Sequence, residues 1–253
     1  MESNTNISVV NPELKFDKVS LVEPSGNHFL LLAAEVDRSA LPFFLFTSSK
    51  KKELLTYSKS ACRELELIDG VESAVVFKAS LIPPGKGKLL EERPNVHIAK
   101  YDVVVLIETE SESIAENIKS HKLYSDLENK ISEAASNTLY LSASNVKKIN
   151  SVDHNRQGVF LFNFFYADNV QQNIGIWEYT AGWFQQETGL DNSTVLLPEN
   201  PGKSDYKIIN HCRWDSFSYI LPSLIFKKTF KTYVLDNFYE NNVAAIPILY
   251  KLA

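Results

Sequence analysis

The run YKIINHCRW, residues 206 to 214, places several chemically capable side chains on one predicted strand. His211 can take up or release a proton, and together with Arg213 it could hold an anionic group or act as an acid or base. A paired His and Arg at an internal interface is the competing interpretation. Because strand side chains alternate, His211 and Arg213 share one face, while Asn210 and Trp214 share the other. The run therefore cannot form one site.

A second candidate is Asn163, which interrupts the apolar strand pattern VFLFNFFY at residues 159 to 166. Burying an amide without partners costs a few kcal/mol, on the order of 2–7. The cost is offset if Asn163 binds a ligand or reactive intermediate, or if it bonds to a neighbouring side chain or loop. Both interpretations stay open at this stage.

Four large aromatic residues could form the floor of a pocket for a small molecule. Trp177 and Trp183 lie on the helix predicted after Asn163, Trp214 ends the strand described above, and Tyr219 follows it. Aromatic walls with a few polar groups are typical of small-molecule sites. Large aromatic side chains at helical spacing also build ordinary cores, which is the alternative.

The elements that must position these residues follow a βαββαβ order in the second half. Periodicity and turn residues predict strands at 158–166, 193–198, 206–214 and 243–252, with helices at about 170–189 and 217–237. The first half repeats the order with helices at 49–67 and 111–135 and strands at 71–82, 96–108 and 138–144. Its first strand has two candidates, 29–36 and 42–48. We favour 42–48, because it leads directly into a helix as residues 164–166 do.

This repeat predicts an α+β chain of two tandem ferredoxin-like units. Consecutive apolar residues such as Val103 to Ile107 indicate strands buried on both faces, so the two sheets should pack face to face with helices outside. We expect an N-terminal extension over 1–39, repeats over 40–148 and 149–253, and a linker near 145–157.

Composition narrows the function classes. The 253 residues are 44% apolar with a net charge of −5, and the 26 basic residues form no stripe, which argues against nucleic-acid binding. Neither a signal peptide nor a span of about 18 apolar residues is present, so we expect no membrane contact and a cytoplasmic location. The five histidines and two cysteines lack metal-site spacing, and the cysteines are expected to be reduced.

Two segments resemble a known superfamily. A third strand that ends in Trp and leads into a capped helix, NHCRWDSFSYILPSLIFKKTF at 210–230, resembles the dimeric α+β barrel superfamily, especially its antibiotic-biosynthesis-monooxygenase group. YDVVVLIETESESIAENIKSHKLYSDL at 101–127 is similar to the stress-responsive and EthD-like branches. Such barrels are usually built from two chains. The resemblance thus implies a monomer with an internal pseudo-dimer, or a homodimer of such chains.

Activities in this superfamily include metal-free and flavin-free oxygenation of aromatic polyketides, haem degradation, and decarboxylation or isomerisation of small compounds. The resemblance implies that Asn163 and Trp214 lie near the reacting substrate. The haem-degrading branch uses a His on the second helix; residues 217–237 contain none, and the first half offers only His121.

The expectation is therefore binding or transformation of a small hydrophobic, aromatic compound, as in a cofactor-independent monooxygenase. The predicted catalytic residues are Asn163 and Trp214, and the predicted substrate-binding residues are Trp177, Trp183, Asn210, His211, Arg213 and Tyr219. The alternatives are a non-catalytic carrier or sensor and a structural interaction protein of the same fold.

Overall fold

The computed structural model describes residues 7–37, 42–85 and 87–253, which form two βαββαβ units. The first unit comprises β1 (His28–Glu35), α1 (Ser49–Leu65), β2 (Val71–Leu81), α2 (Leu89–Glu92), β3 (Val103–Thr109), α3 (Glu112–Lys119), α4 (Lys122–Ala134) and β4 (Asn137–Lys148). The second comprises β5 (Val159–Ala167), α5 (Val170–Thr188), β6 (Thr194–Pro198), β7 (Tyr206–Trp214), α6 (Phe217–Phe226), a π-helical segment (Phe230–Leu235), α7 (Asp236–Glu240) and β8 (Val243–Leu252).

The eight strands close into one barrel in the order β1-β3-β2-β8-β5-β7-β6-β4. Read separately, the units have the orders β4-β1-β3-β2 and β6-β7-β5-β8, which is the ferredoxin-like arrangement. Antiparallel pairing of β2 with β8 and of β4 with β6 joins them. The predicted fold class, two ferredoxin-like units combined as an intrachain α+β barrel, is confirmed.

Three apolar cores follow from strands that are buried on both faces. Side chains such as Phe77, Phe160 and Phe162 fill the barrel interior. Outside it, α1, α3 and α4 cover the first sheet over a core that includes Leu32 and Val105. The helices of the second unit cover the other sheet over a separate core rich in tryptophan and phenylalanine.

The first strand lies at His28–Glu35, so the preference for residues 42–48 was wrong. All of β1 up to Ala34 is buried, because it sits between β3 and β4 with both faces covered. Within 42–48 only Phe43 forms a bridge, to Leu81, and Leu45 is 83% exposed. The first unit therefore takes its first strand from the segment that we expected to be an extension.

Other boundaries also differ from the prediction, and β4 extends to Lys148, into the segment expected to be a linker. Strand β3 begins at Val103 rather than near residue 96, because the preceding loop packs over the barrel end and Asp102 is drawn into a buried ion pair with Lys51. The predicted helix over 111–135 is split at Ser120, where His121 starts α4 by accepting a bond from Leu123 N–H. The helix predicted over 217–237 ends at Phe226 and is followed by the π-helical segment.

Residues 7–22 form an extended N-terminal strap over the helices of the second unit. The N–H groups of Ser8 and Val10 donate to the side-chain oxygens of Asn241 and Asn237. At Gly182 of α5 the strap approaches so closely that a Cβ atom would lie 1.9 Å from the Asp17 carbonyl oxygen. None of the helices in the described ranges is both long and apolar enough to cross a bilayer.

Candidate functional site

Asn163 lies at the middle of β5 with its side chain toward the helices. The residue is 7% exposed, and its Oδ1 atom accepts no hydrogen bond from the described part of the chain. It lines an enclosed cavity of about 30 Å³ between α5 and the sheet. A cavity of this size holds a water molecule or two. An unpaired acceptor therefore faces a small enclosed space.

Trp177, Asn210 and Trp214 line the same cavity, so the structure brings together four of the eight predicted site residues. Trp214 Nε1 donates to Thr188 Oγ1 at 3.0 Å, which fixes the indole at the end of α5. Asn210 Oδ1 accepts a short bond of 2.5 Å from Ser193 Oγ. The cavity therefore has aromatic walls and two amide side chains, of which only Asn163 is left with an unpaired oxygen.

Trp183 and Tyr219 do not line this cavity. Trp183 is fully buried on another side of α5, where it donates to Thr229 Oγ1 at 2.9 Å and packs against Phe230. Tyr219 lies at the start of α6 and is 54% exposed. Their contacts match the core interpretation for Trp183 and a surface position for Tyr219.

His211 and Arg213 lie on the opposite face of β7, as strand alternation predicted. His211 Nδ1 lies 3.0 Å from the Leu161 carbonyl oxygen, and its Nε2 lies 2.9 Å from Nε2 of His154. The carbonyl can only accept, so His211 Nδ1 carries the proton and His154 donates to His211 Nε2. Arg213 donates to Asp215 and to the Gln157 carbonyl oxygen. Both side chains are thus held at one end of the barrel, apart from Asn163.

Both imidazoles are kept neutral by their surroundings. Burial lowers the pKa of His154 to about 4, while Asp153 opposes the shift and Arg213 reinforces it. Burial also places the pKa of His211 well below its usual value, and the neighbouring His154 adds to the effect. The pair shares one hydrogen bond without a net charge.

The cavity does not fit haem. Its lining contains no imidazole, and its only sulfur ligand is Cys212, whose thiol stays protonated because burial raises its pKa. His121, the imidazole considered in the first unit, caps α4 at the surface. Across residues 7–37, 42–85 and 87–253, no three His, Cys, Asp or Glu side chains cluster as a metal site would require.

Two polar residues of α5 near this site were not predicted from the sequence. Thr180 lines the cavity, and Asn173 is fully buried with neither side-chain amide atom paired to a described residue. Both occur at helical spacing from Trp177, in the stripe that faces the sheet. Their position within an otherwise apolar stripe of the helix could therefore have predicted that they are buried near the site. His154 had no such signal, because it lies in the linker and its partner comes from a distant strand.

No family model matches the sequence, and no curated protein matches it. Solved structures match the fold over nearly the whole chain. An anthrone oxidase-like protein aligns with a TM-score of 0.63 at 11% identity, covering 90% of this chain and 92% of that one. This chain has the dimeric α+β barrel fold, fused into one polypeptide. A barrel from Fusobacterium nucleatum, whose name gives monooxygenase as an inferred activity, aligns with a TM-score of 0.58 at 9% identity, covering 90% and 93%.

A third barrel is the dye-decolorizing protein from V. cholerae, with a TM-score of 0.51 at 10% identity and coverage of 92% and 95%. At these identities the likeness establishes the fold. In the fused barrel the chain supplies both halves itself, so the internal pseudo-dimer is complete within one polypeptide. A shared fold does not assign a function, which depends on the residues of the site.

Proposed function

We propose that the cavity beside Asn163 binds a small, planar aromatic compound and supports its oxygenation without a cofactor. The observation that carries this proposal is the buried, unpaired Asn163 Oδ1 atom facing a cavity walled by Trp177 and Trp214. A folded protein keeps such an atom at a cost of about 1–3 kcal/mol. A bound donor group, such as a phenolic hydroxyl, removes that cost.

The cavity must enlarge to admit a ring, since its present volume is about 30 Å³. The part of the wall suited to move is the side covered by α6, the π-helical segment and α7, where regular helix is interrupted between Phe226 and Phe230. Phe238 of α7 lines the cavity directly. Interruptions of this kind in helices frequently occur at functional sites.

The proposed reaction converts a CH₂ group of the substrate to C=O. The CH₂ group is acidified by a ketone that is conjugated to it through an aromatic ring. One oxygen atom of O₂ enters the new carbonyl, and the other leaves as water with the two hydrogens of the CH₂ group. The substrate is therefore the reductant. The CH₂ group would lose a proton to a water molecule in the cavity, because the described residues of the lining include no ionised base. The oxyanion left on the substrate would be stabilised by the Asn163 amide N–H group.

Anthrone is the probe for this proposal, because a protein with the same fold is described as anthrone oxidase-like and the enol tautomer of anthrone carries a hydroxyl that can donate to Asn163 Oδ1. We expect anthrone to quench the fluorescence of Trp177 and Trp214 and to be oxidised with uptake of O₂ by purified protein without added metal or flavin. Asn163→Ala should lower turnover by about 10²-fold, in the range seen for loss of one oxyanion donor.

Asn173→Ala is the control, because Asn173 is another buried, unpaired amide and lies outside the cavity lining. It should leave turnover within about twofold of the unaltered protein, as for a residue away from the reacting atoms. Quenching without O₂ uptake would replace the enzyme with a carrier or sensor. Absence of both quenching and O₂ uptake for anthrone and related polycyclic phenols would overturn the proposal in favour of an interaction protein.

A further inference from the structure

A larger cleft, which shares no lining residue with the Asn163 cavity, lies at the junction of β4 and β6. Its volume is about 410 Å³, and it separates residues 137–142 of β4 from residues 198–206. A volume of several hundred cubic ångströms is in the range of ligand sites.

The cleft exists because the two strands at this junction differ in length. Strand β4 has 12 residues, whereas β6 has 5. Their pairing covers Lys148 to Ala143 of β4 and ends opposite Pro198. One more bond follows, from Glu199 N–H to the Ser142 carbonyl oxygen at 2.9 Å. Beyond that bond, β4 continues to Asn137 with only β1 paired beside it among the described strands.

Alternation identifies the backbone groups that are left open. In an antiparallel ladder the N–H and C=O groups of one residue point to the same neighbour, and those of the next residue point to the other side. The backbone carbonyl of Ser142 points toward β6. The backbone N–H and C=O groups of Tyr140 and Thr138, two and four residues away, therefore point into the cleft. Leu141 and Leu139 instead pair with β1, opposite Leu31 and Ala33. The cleft is therefore lined by an open strand edge.

The floor of the cleft is largely apolar. Half-buried Leu139 and Leu141 belong to the barrel-interior core, and the rings of Tyr101 and Tyr206 pack beside them. The Tyr206 hydroxyl donates to the His97 carbonyl oxygen at 2.9 Å, so it is already paired. An occupant would meet unpaired backbone groups along one wall and apolar side chains beneath.

Acidic groups outnumber basic ones around the rim. The lining holds the exposed carboxylates of Glu199 and Asp205 and one exposed lysine, Lys203. Glu199 Oε1 already accepts from Ser142 Oγ at 2.6 Å and lies 2.9 Å from His28 Nε2, so Asp205 is the less engaged of the two acids. His97 is held by the Glu35 carboxylate at 2.8 Å at the barrel end. The rim therefore favours an occupant that carries positive charge on its outer side.

We propose that this cleft binds an extended peptide of another protein, with alternating apolar and basic residues, as an added strand on the β4 edge. Its backbone would bond to Thr138 and Tyr140, as extended peptides do at exposed sheet edges. Its apolar side chains would face Leu139, Leu141 and Tyr206, and its basic side chains would face Asp205 and Glu199. The peptide would complete the barrel wall where β6 is too short.

Hydrogen exchange in the free protein tests whether the edge is open. We expect the amides of Thr138 and Tyr140 to exchange at least about tenfold faster than those of Leu139 and Leu141, which are bonded to β1. Equal protection of all four amides would show that the edge is closed, and the proposal would be wrong.

Binding is tested with an acetylated, amidated hexapeptide of alternating lysine and valine. Thr138→Pro removes an N–H that faces the cleft, a change that an open strand edge tolerates. We expect it to weaken peptide binding by about tenfold. Thr138→Val keeps the N–H and should bind within about twofold of the unaltered protein. Thermal unfolding of both variants verifies that the fold is retained.

A peptide of the same sequence, N-methylated at alternate residues, separates strand pairing from charge attraction. We expect the methylated peptide to lose binding, because it keeps its charges but cannot donate along one edge. Equal binding of both peptides would overturn the proposal, as would the absence of any binding. Self-association that Thr138→Pro abolishes would also overturn it, since the occupant would then be a second copy of this chain.

Discussion

The two halves share one topology but differ under their helices. The helix-facing core of the first half consists mainly of Leu, Val, Ile and Ala and contains no tryptophan. The corresponding core of the second half contains all three tryptophans of the chain together with Asn163 and Asn210. The same pair of sheet and helices can therefore serve as a scaffold in one copy and enclose a polar-walled cavity in the other.

The scaffold role of the first half rests on a buried ion pair, and breaking it is the largest test. Lys51 Nζ lies 2.7 Å from Asp102 Oδ2, and neither side chain is exposed. Lys51→Met should lower the free energy of unfolding by about 3–5 kcal/mol, because it leaves a buried carboxylate without its cation.

Urea unfolding measures the effect. Lys52→Met is the control, since Lys52 is the next residue of α1 and is exposed; it should change stability by no more than about 0.5 kcal/mol. Equal losses in both variants would mean that the ion pair does not anchor this half.

The barrel interior joins the halves, and its histidine pair should make the junction sensitive to acid. The pKa of His154 is about 4 in the folded chain against a usual 6.5. Between these two pH values His154 is protonated in the unfolded chain but neutral in the folded one. Its contribution to the free energy of unfolding is therefore fully present above about pH 6.5. That contribution is lost as the pH falls toward 4, and the loss is up to about 3 kcal/mol.

His154→Phe keeps the aromatic packing and removes this titration. Denaturant midpoints of both proteins at pH 7 and pH 4.5 measure the difference. The variant should lose less stability between the two pH values than the unaltered protein. Identical losses would show that the pair does not control acid sensitivity.

The N-terminal strap packs against the helices of the second half, and Gly182 sets how closely it packs. Gly182→Ala should cost about 1–3 kcal/mol, as overpacking does, because its Cβ would overlap the Asp17 carbonyl. Gly26→Ala has no atom within 4 Å of the added carbon and should be nearly neutral. Thermal unfolding compares them, and a neutral Gly182→Ala would mean that the strap yields freely.

The smallest expected effect sharpens the contrast between scaffold and cavity. Asn163→Leu gives the second half an apolar residue like those of the first, and it should raise the free energy of unfolding by about 1 kcal/mol by removing an unpaired amide. Asn210→Leu should instead lower it by about 1–3 kcal/mol, because Ser193 Oγ loses its partner. Destabilisation by Asn163→Leu would show that its amide is satisfied.

The strands of the second half could be predicted from the sequence because turn-forming residues mark their ends. The predicted strands at 206–214 and 243–252 match β7 and β8, and alternation correctly placed Trp214 and His211 on opposite faces of the strand. The prediction of the first strand was wrong because residues 42–48 have the composition of a strand but take no place in the sheet. The composition of a segment shows whether its side chains suit a buried strand. It does not show whether a neighbouring strand is free to pair with that segment.

The candidate site was predictable only in part. Asn163 and Trp214 met in one cavity because both lie on helix-facing positions of paired strands. The volume of that cavity depends on how α5, α7 and the sheet pack, which no pattern of spacing encodes. The open edge of β4 likewise depends on a difference in length between strands from separate halves.

Fusion of the halves into one polypeptide has a consequence for how the molecule can change. In a barrel made of two identical chains, every substitution occurs twice, so a residue suited to ligand chemistry on one side also burdens the other. Here each position exists once. One half can therefore hold a destabilising buried amide while the equivalent position of the other half stays apolar. A substitution in either half leaves the other half unchanged.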